Sequence, residues 1–216
     1  LLQSSLILLA LLALTLTPAL AQRDAEDTED DLCPVIVEEA LLQAAEVCSD
    51  LGRNEICYGN DNVEAEGEAE LADMFALPGD ITALAGISTL RTAAFDETAQ
   101  QWGIALMALQ VNLPDSLPGE NVRFVVFGET EIEAGAYEGD EFTAPMQAFR
   151  ISTGFGALEC DQLPPDGMLV QAPRGTSVNF LVNGVEITVG STGYITIVED
   201  DDGEGALEVS TFEGTI

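Results

Sequence analysis

The sequence predicts a mainly β protein, an antiparallel β-sandwich or meander with an N-terminal disulfide-tied α-helix. Three observations predict it. Short runs rich in Val, Ile and Phe alternate with Pro- and Gly-bearing turns from residue 77 onward, Asn183-Gly184 joins two such runs, and three of the four cysteines cluster around one helical stripe near the N-terminus. β-branched and aromatic side chains suit a pleated, half-buried surface, while Pro, Gly, Asn and Asp supply turn corners.

Residues 1–21 hold an apolar run over 6–14 and end on Ala19-Leu20-Ala21, the layout of a signal peptide with a small-residue cleavage site. The run is shorter than the roughly 20 residues needed to span a bilayer. A chain opening on Leu1 without a basic segment is expected to begin inside a longer precursor, and residues 213–216 read as a strand end that further domains are expected to follow. Residues 22–32 form an acidic linker carrying Glu29-Asp30-Asp31. Residues 33–60 form a helical disulfide segment: Pro34 suits a first helical position, and Val37, Leu41, Ala44 and Cys48 recur at helical spacing up to Gly52. Cys33, Cys48, Cys57 and Cys160 are an even set in an export-bound chain, which favours disulfides. Cys33 and Cys48 would stand about 22 Å apart along one helix, beyond bonding reach. Cys48 and Cys57 flank the turn Leu51-Gly52-Arg53-Asn54, so the expected pairs are Cys48–Cys57 and Cys33–Cys160.

Residues 61–160 are expected to form a β-sandwich-like domain. Residues 60–70 are acidic and unpatterned, hence a loop, and Leu77-Pro78-Gly79-Asp80, Leu113-Pro114-Asp115, Leu117-Pro118-Gly119-Glu120 and Leu163-Pro164-Pro165-Asp166 are turns. Residues 103–111 are apolar on both faces, which suits a central, doubly covered strand, with a buried helix as the rival. Residues 121–128 alternate Val122, Phe124 and Val126 against Arg123, Val125 and Phe127, and 146–153 form a further strand. Residues 161–216 are expected to form a β-meander: 177–182 and 185–189 meet at Asn183-Gly184, the strongest short hairpin signal, and strands at 194–198 and 206–212 follow.

The chain has six basic residues, all arginine, against 39 acids, for a net charge of −33. Such a surface repels phosphate backbones and anionic membranes, so neither nucleic acid nor a lipid surface is an expected partner. With no His and no Lys, the sequence excludes an ordinary Ser-His-Asp or Cys-His relay, a Schiff base and a Ser-Lys dyad. Gly190-Ser191-Thr192-Gly193 lacks nucleophile-elbow spacing and reads as a β-turn, and Gly154-Phe155-Gly156 lacks the third glycine of a phosphate loop. Asp200, Asp202 and Glu204 offer oxygen ligands of the kind Ca²⁺ takes, but without the twelfth-position Glu of an EF-hand they read first as a solvated hairpin turn. No cofactor is expected. Carboxylates are abundant enough for a two-acid glycosidase, although no spacing singles out a pair and Trp102 is the sole tryptophan for sugar stacking.

The stretch Val182-Asn183-Gly184-Val185-Glu186-Ile187-Thr188-Val189, followed by Tyr194-Ile195 and Leu207-Glu208-Val209 up to Glu213-Gly214, resembles the FecR-type extracytoplasmic domain over roughly residues 167–216. That resemblance implies an extracytoplasmic sensor or regulator ectodomain. The phrases Arg53-Asn54-Glu55-Ile56-Cys57-Tyr58-Gly59-Asn60 and Trp102-Gly103-Ile104-Ala105-Leu106-Met107 are similar to those of a group of secreted bacterial proteins, which implies export and no particular activity. The expected function is therefore a secreted or cell-surface, non-enzymatic binding or scaffold protein with a protein or polysaccharide partner at the cell envelope and no membrane span beyond the leader. A sensor ectodomain and a carboxylate-based glycoside hydrolase are the alternatives.

Overall fold

The structure, a computed structural model, describes residues 33–68, 71–110, 121–135, 146–154, 164–199 and 203–213. The leader, the acidic linker, Cys160, Asp200 and Asp202 lie outside them, and so does the Cys33–Cys160 bridge. Residues 32–216 group as one unit. In chain order its elements are α1 (Cys33–Val47), β1 (Glu55–Asn60), β2 (Val63–Gly67), α2 (Leu71–Met74), β3 (Ile81–Ala83), β4 (Ile87–Thr92), β5 (Ile104–Leu109) and β6 (Val122–Phe127). Then come β7 (Thr130–Ala134), β8 (Ala148–Thr153), β9 (Gly167–Gln171), β10 (Val178–Val182), β11 (Val185–Val189), β12 (Thr192–Glu199) and β13 (Gly205–Glu213).

The strands build two sheets, a first in the order β13-β12-β9-β6-β5-β1-β3 and a second in the order β11-β10-β8-β7-β4-β2. Neighbours run antiparallel except β8 and β10, which pair in parallel through Leu181 opposite Ala148 and Val182 opposite Phe149. The expected mainly β sandwich with a disulfide-tied helix is the fold observed. Period-two alternation explains it: β6 turns Val122, Phe124 and Val126 inward and leaves Arg123 exposed, and β8 buries Phe149 and Ile151 while Arg150 and Ser152 face out. Between the sheets, Phe124 meets Phe180 edge-on with ring centroids 5.3 Å apart, and the Thr153 hydroxyl donates to the Ile197 carbonyl at 3.0 Å. Each such aromatic or aliphatic side chain taken from water contributes roughly 1.5–3 kcal/mol.

β5 is the expected doubly covered strand rather than a helix. Its Ala105, Met107 and Leu109 enter the core between the sheets, whereas Ile104 and Leu106 pack on the outer side with Ile36, Ala40 and Ala44 of α1. The buried stripe of α1 differs from the expected one by a residue. Ile36, Ala40, Ala44 and Cys48 are buried, Val37 is half-buried and Leu41 is 43% exposed. Small residues face the sheet because the approach is close: a β-carbon at Gly59 would lie 3.0 Å from the Ala44 Cβ and 2.9 Å from the Ile104 carbonyl. The Cys48–Cys57 disulfide, with Cα atoms 5.7 Å apart, ties the helix end to β1.

Two expectations are corrected. Residues 60–70 are not wholly a loop, because 63–67 form β2, paired with β4 from Val63 opposite Thr92. β2 is an edge strand whose exposed Glu64 and Glu66 are unfavourable by propensity, and pairing with β4 together with burial of Val63 outweighs this. The C-terminal strands do not form one meander. β10 and β11 make a hairpin in the second sheet, β12 and β13 a hairpin in the first, and bends at Gly190 and Ser191 carry the chain between sheets. Hairpin signals report local pairing, whereas the partner sheet is chosen by inward faces that must close on each other. β9, from beyond residue 160, lies between β6 and β12, and β10 lies beside β8, so residues 61–160 and 161–216 share both sheets. At Gly167 a β-carbon would stand 2.5 Å from the Ile195 carbonyl, so only glycine lets β9 and β12 approach as they do.

Candidate functional site

The outward positions of the second sheet carry polar and charged side chains in rows: Glu64 and Glu66 on β2, Arg91 on β4, Glu131 and Glu133 on β7, Arg150 and Ser152 on β8. Cross-strand register sets Arg91 opposite Glu131 and Glu133 opposite Arg150. Charges at such positions act as pairs, because directly opposed side chains stand about 5 Å apart at Cβ.

A groove of about 500 Å³ runs over this face, lined by Glu131, Glu133, Arg150, Ile151, Ser152, Asn183 and Gly184. A second hollow of about 250 Å³ continues it past Arg91 and Thr92 to Glu129 and Gly154, and the two share Glu131 and Ser152. One wall of the groove is the β10–β11 turn. Asn183 and Gly184 take φ of 51° and 81°, the left-handed pair their sequence predicts. The Asn183 backbone N–H donates to the Phe149 carbonyl at 3.1 Å. Its side-chain amide accepts from the Ile151 N–H at 2.8 Å and donates to the Ile151 carbonyl at 3.0 Å. The side chain thus continues the β8–β10 ladder one step beyond the strand and fixes the turn against the groove floor.

Electrostatically the two charged rows differ. Arg91 donates from Nη1 to Glu66 and from Nε to Glu131, and these hydrogen bonds, Glu66 first and Glu131 next, hold its guanidinium further into the charged form. Glu133 and Arg150, opposed in register, form no ion pair among the described residues. The groove therefore offers one carboxylate already engaged and one acid and one guanidinium that remain available, beside the Ser152 hydroxyl. At Gly154, a β-carbon would fall 2.3 Å from Oε2 of Glu129, so the glycine that heads Gly154-Phe155-Gly156 faces an acid, which opposes an anion there.

Asp166, whose carboxyl is raised chiefly by burial, does not line the groove. Trp102 is 2% exposed and packs on Phe127 with centroids 5.4 Å apart, so it is a core residue and supplies no sugar platform. Among the calcium candidates, Glu204 is exposed just before β13, while Asp200 and Asp202 lie outside the described residues. Among the described residues no group of three or more acids or cysteines is placed to hold a metal ion. Sequence reasoning singled out none of Glu131, Glu133 and Arg150. The signal that would have found them is the alternation in Thr130-Glu131-Ile132-Glu133 and Phe149-Arg150-Ile151-Ser152, which places every charge on the face opposite the core.

Comparison with known proteins finds no family model, no curated protein and no solved structure that matches the chain, so none identifies a FecR-type domain. Cys48 and Cys57 are joined, and among the described residues no helix is long and apolar enough to cross a membrane. Both facts are compatible with an extracellular protein.

Proposed function

We propose that the protein is an exported, non-enzymatic binding module that holds a polar chain at the cell envelope against the outer face of its second sheet. The observation that carries this is the groove over β7 and β8, where Glu133 and Arg150 stand opposed beside Ser152 and form no ion pair among the described residues. Carboxylate, guanidinium and hydroxyl together suit a hydroxyl-rich chain that is neutral or carries amines, and the surrounding acidity disfavours a polyanion. A polysaccharide of that kind is the preferred ligand and a protein strand the alternative. Support for export comes from the leader-like residues 1–21 and from the disulfide.

Binding of envelope polysaccharides, titrated by calorimetry against wild type and the Glu133→Ala/Arg150→Ala double variant, tests the proposal. Saturable binding to a neutral or amine-bearing glycan, weakened at least about fivefold in the variant, is expected, since two polar contacts worth about 0.5–1.5 kcal/mol each are lost. Equal binding by the variant, or none by wild type, overturns it. Mass spectrometry of the exported product is expected to find a chain beginning at Gln22 with Cys48 and Cys57 oxidised.

A further inference from the structure

The outer face of the first sheet is only partly covered. α1 ends at Val47 and lies over β1 and β5, so Leu106, Val125 and Leu169 remain half-buried beyond the helix. They floor a groove of about 280 Å³, just below the range for small-molecule sites, and the rim adds Ser49 from the helix end together with Asn121 and Arg123.

Two polar groups at this rim are unanswered among the described residues. The Asn121 Oδ1 atom is buried and accepts no hydrogen bond. Arg123, between Ala108 and Gln171 in register, has no carboxylate partner among the described residues. A buried acceptor without a donor costs roughly 1–3 kcal/mol, so a ligand that supplies the donor gains from binding. The complementary molecule has a hydrocarbon body for Leu106, Val125 and Leu169, a carboxylate for Arg123 and one N–H for Asn121 Oδ1.

We infer that this groove binds a small apolar acid with an adjacent amide N–H, of the class of N-acylated apolar amino acids, at a site on the opposite sheet from the polar groove and independent of it. The chemistry also occurs at the apolar C-terminal end of a peptide, and the test separates the two sources.

N-acetyl-leucine titrated into the whole protein is expected to shift the methyl resonances of Leu106, Val125 and Leu169 saturably at millimolar concentration. N-acetyl-leucine amide, which lacks the carboxylate, and 4-methylpentanoate, which lacks the N–H, are each expected to bind about fivefold more weakly, the scale of one exposed ion pair or one hydrogen bond. The preference for the acid over the amide disappears in Arg123→Gln, and the preference for the N–H in Asn121→Ala. Trp102 fluorescence confirms that both variants remain folded. Tighter binding of an acetylated tripeptide ending in Leu assigns the natural source to a chain end, and equal or weaker binding assigns it to the small molecule. Absence of saturable shifts, preferences that survive both substitutions, or contacts from residues 111–120 to these methyls in the ligand-free protein would each overturn the inference.

Discussion

At Gly128 a β-carbon would lie 1.8 Å from Oδ1 of Asp166, so the Asp166 carboxyl is pressed against bare backbone. Burial is the largest influence on it and raises its pKa; a backbone hydrogen bond from Glu129 opposes this, and the Glu129 carboxylate adds to it. Tyr194 donates to the Pro165 carbonyl and, at 3.2 Å, to the Asp166 carbonyl, while Thr196 donates to the Asp166 carbonyl at 2.7 Å, so the backbone there is held. A folded-state pKa above the unfolded one means that the folded protein binds the proton more tightly. The resulting stability is fully present below the unfolded value of 3.8 and is lost as pH rises through the raised folded value. Asp166→Asn keeps an acceptor for the Glu129 N–H and removes the charge. The variant is therefore expected to unfold at higher urea than wild type at pH 7 and at the same urea at pH 3, followed by the fluorescence of the single tryptophan. A lower midpoint at pH 7 would count against this account. Tyr194 obeys the same sign at the alkaline end. Chiefly through burial it is pushed up to about 12, and its contribution is present below pH 10.0 and lost above about 12.

Among the elements, α1 depends most on a single covalent tie. Its buried row is Ile36, Ala40 and Ala44, two of them alanines with little area to bury, and Leu42 on its outer side is 62% exposed. The Cys48–Cys57 bridge, at a sequence separation of 9, offsets that weakness by restricting the unfolded chain, which for a loop of this size is worth about 2.5–3 kcal/mol. Cys48→Ser/Cys57→Ser is expected to lose about that much stability and to speed amide exchange in α1 well before exchange in β5 and β6. Uniform acceleration across the sheets would show that the bridge serves the whole fold instead. In the second sheet, Asn183 joins β10 to β8 by its own amide. The sequence showed Asn183-Gly184 as a turn, and nothing in one sequence distinguishes an asparagine chosen for positive φ from one whose side chain also completes a ladder.

Across the whole molecule, charge opposes folding. With 39 acids and six arginines, compaction concentrates like charge, and among the described residues the ion pairs of Arg91 with Glu66 and Glu131 offset a single negative charge. Salt shortens the reach of that repulsion, from a Debye length of about 30 Å at 0.01 M to about 10 Å at 0.1 M. The urea midpoint is therefore expected to rise between 10 mM and 500 mM NaCl, measured at constant pH. A falling midpoint would mean that the two Arg91 pairs outweigh the surplus of acids.

By itself the sequence determined the local grammar: which stretches alternate inward and outward, where Asn183-Gly184 and Leu77-Pro78-Gly79-Asp80 turn the chain, and that Cys48 lies within reach of Cys57. These follow from side-chain period, allowed φ and short-range geometry, which act over a few residues. Tertiary structure alone decided that β10–β11 and β12–β13 belong to different sheets, that the edge stretch at 63–67 is a strand, and that Ala40 rather than Leu41 faces β5. It also brought Glu133, Arg150 and Asn183 to one groove. Such outcomes depend on which faces close on each other and on how near two backbones come, as at Gly59 and Ala44, and those distances exist only once residues far apart in sequence have met.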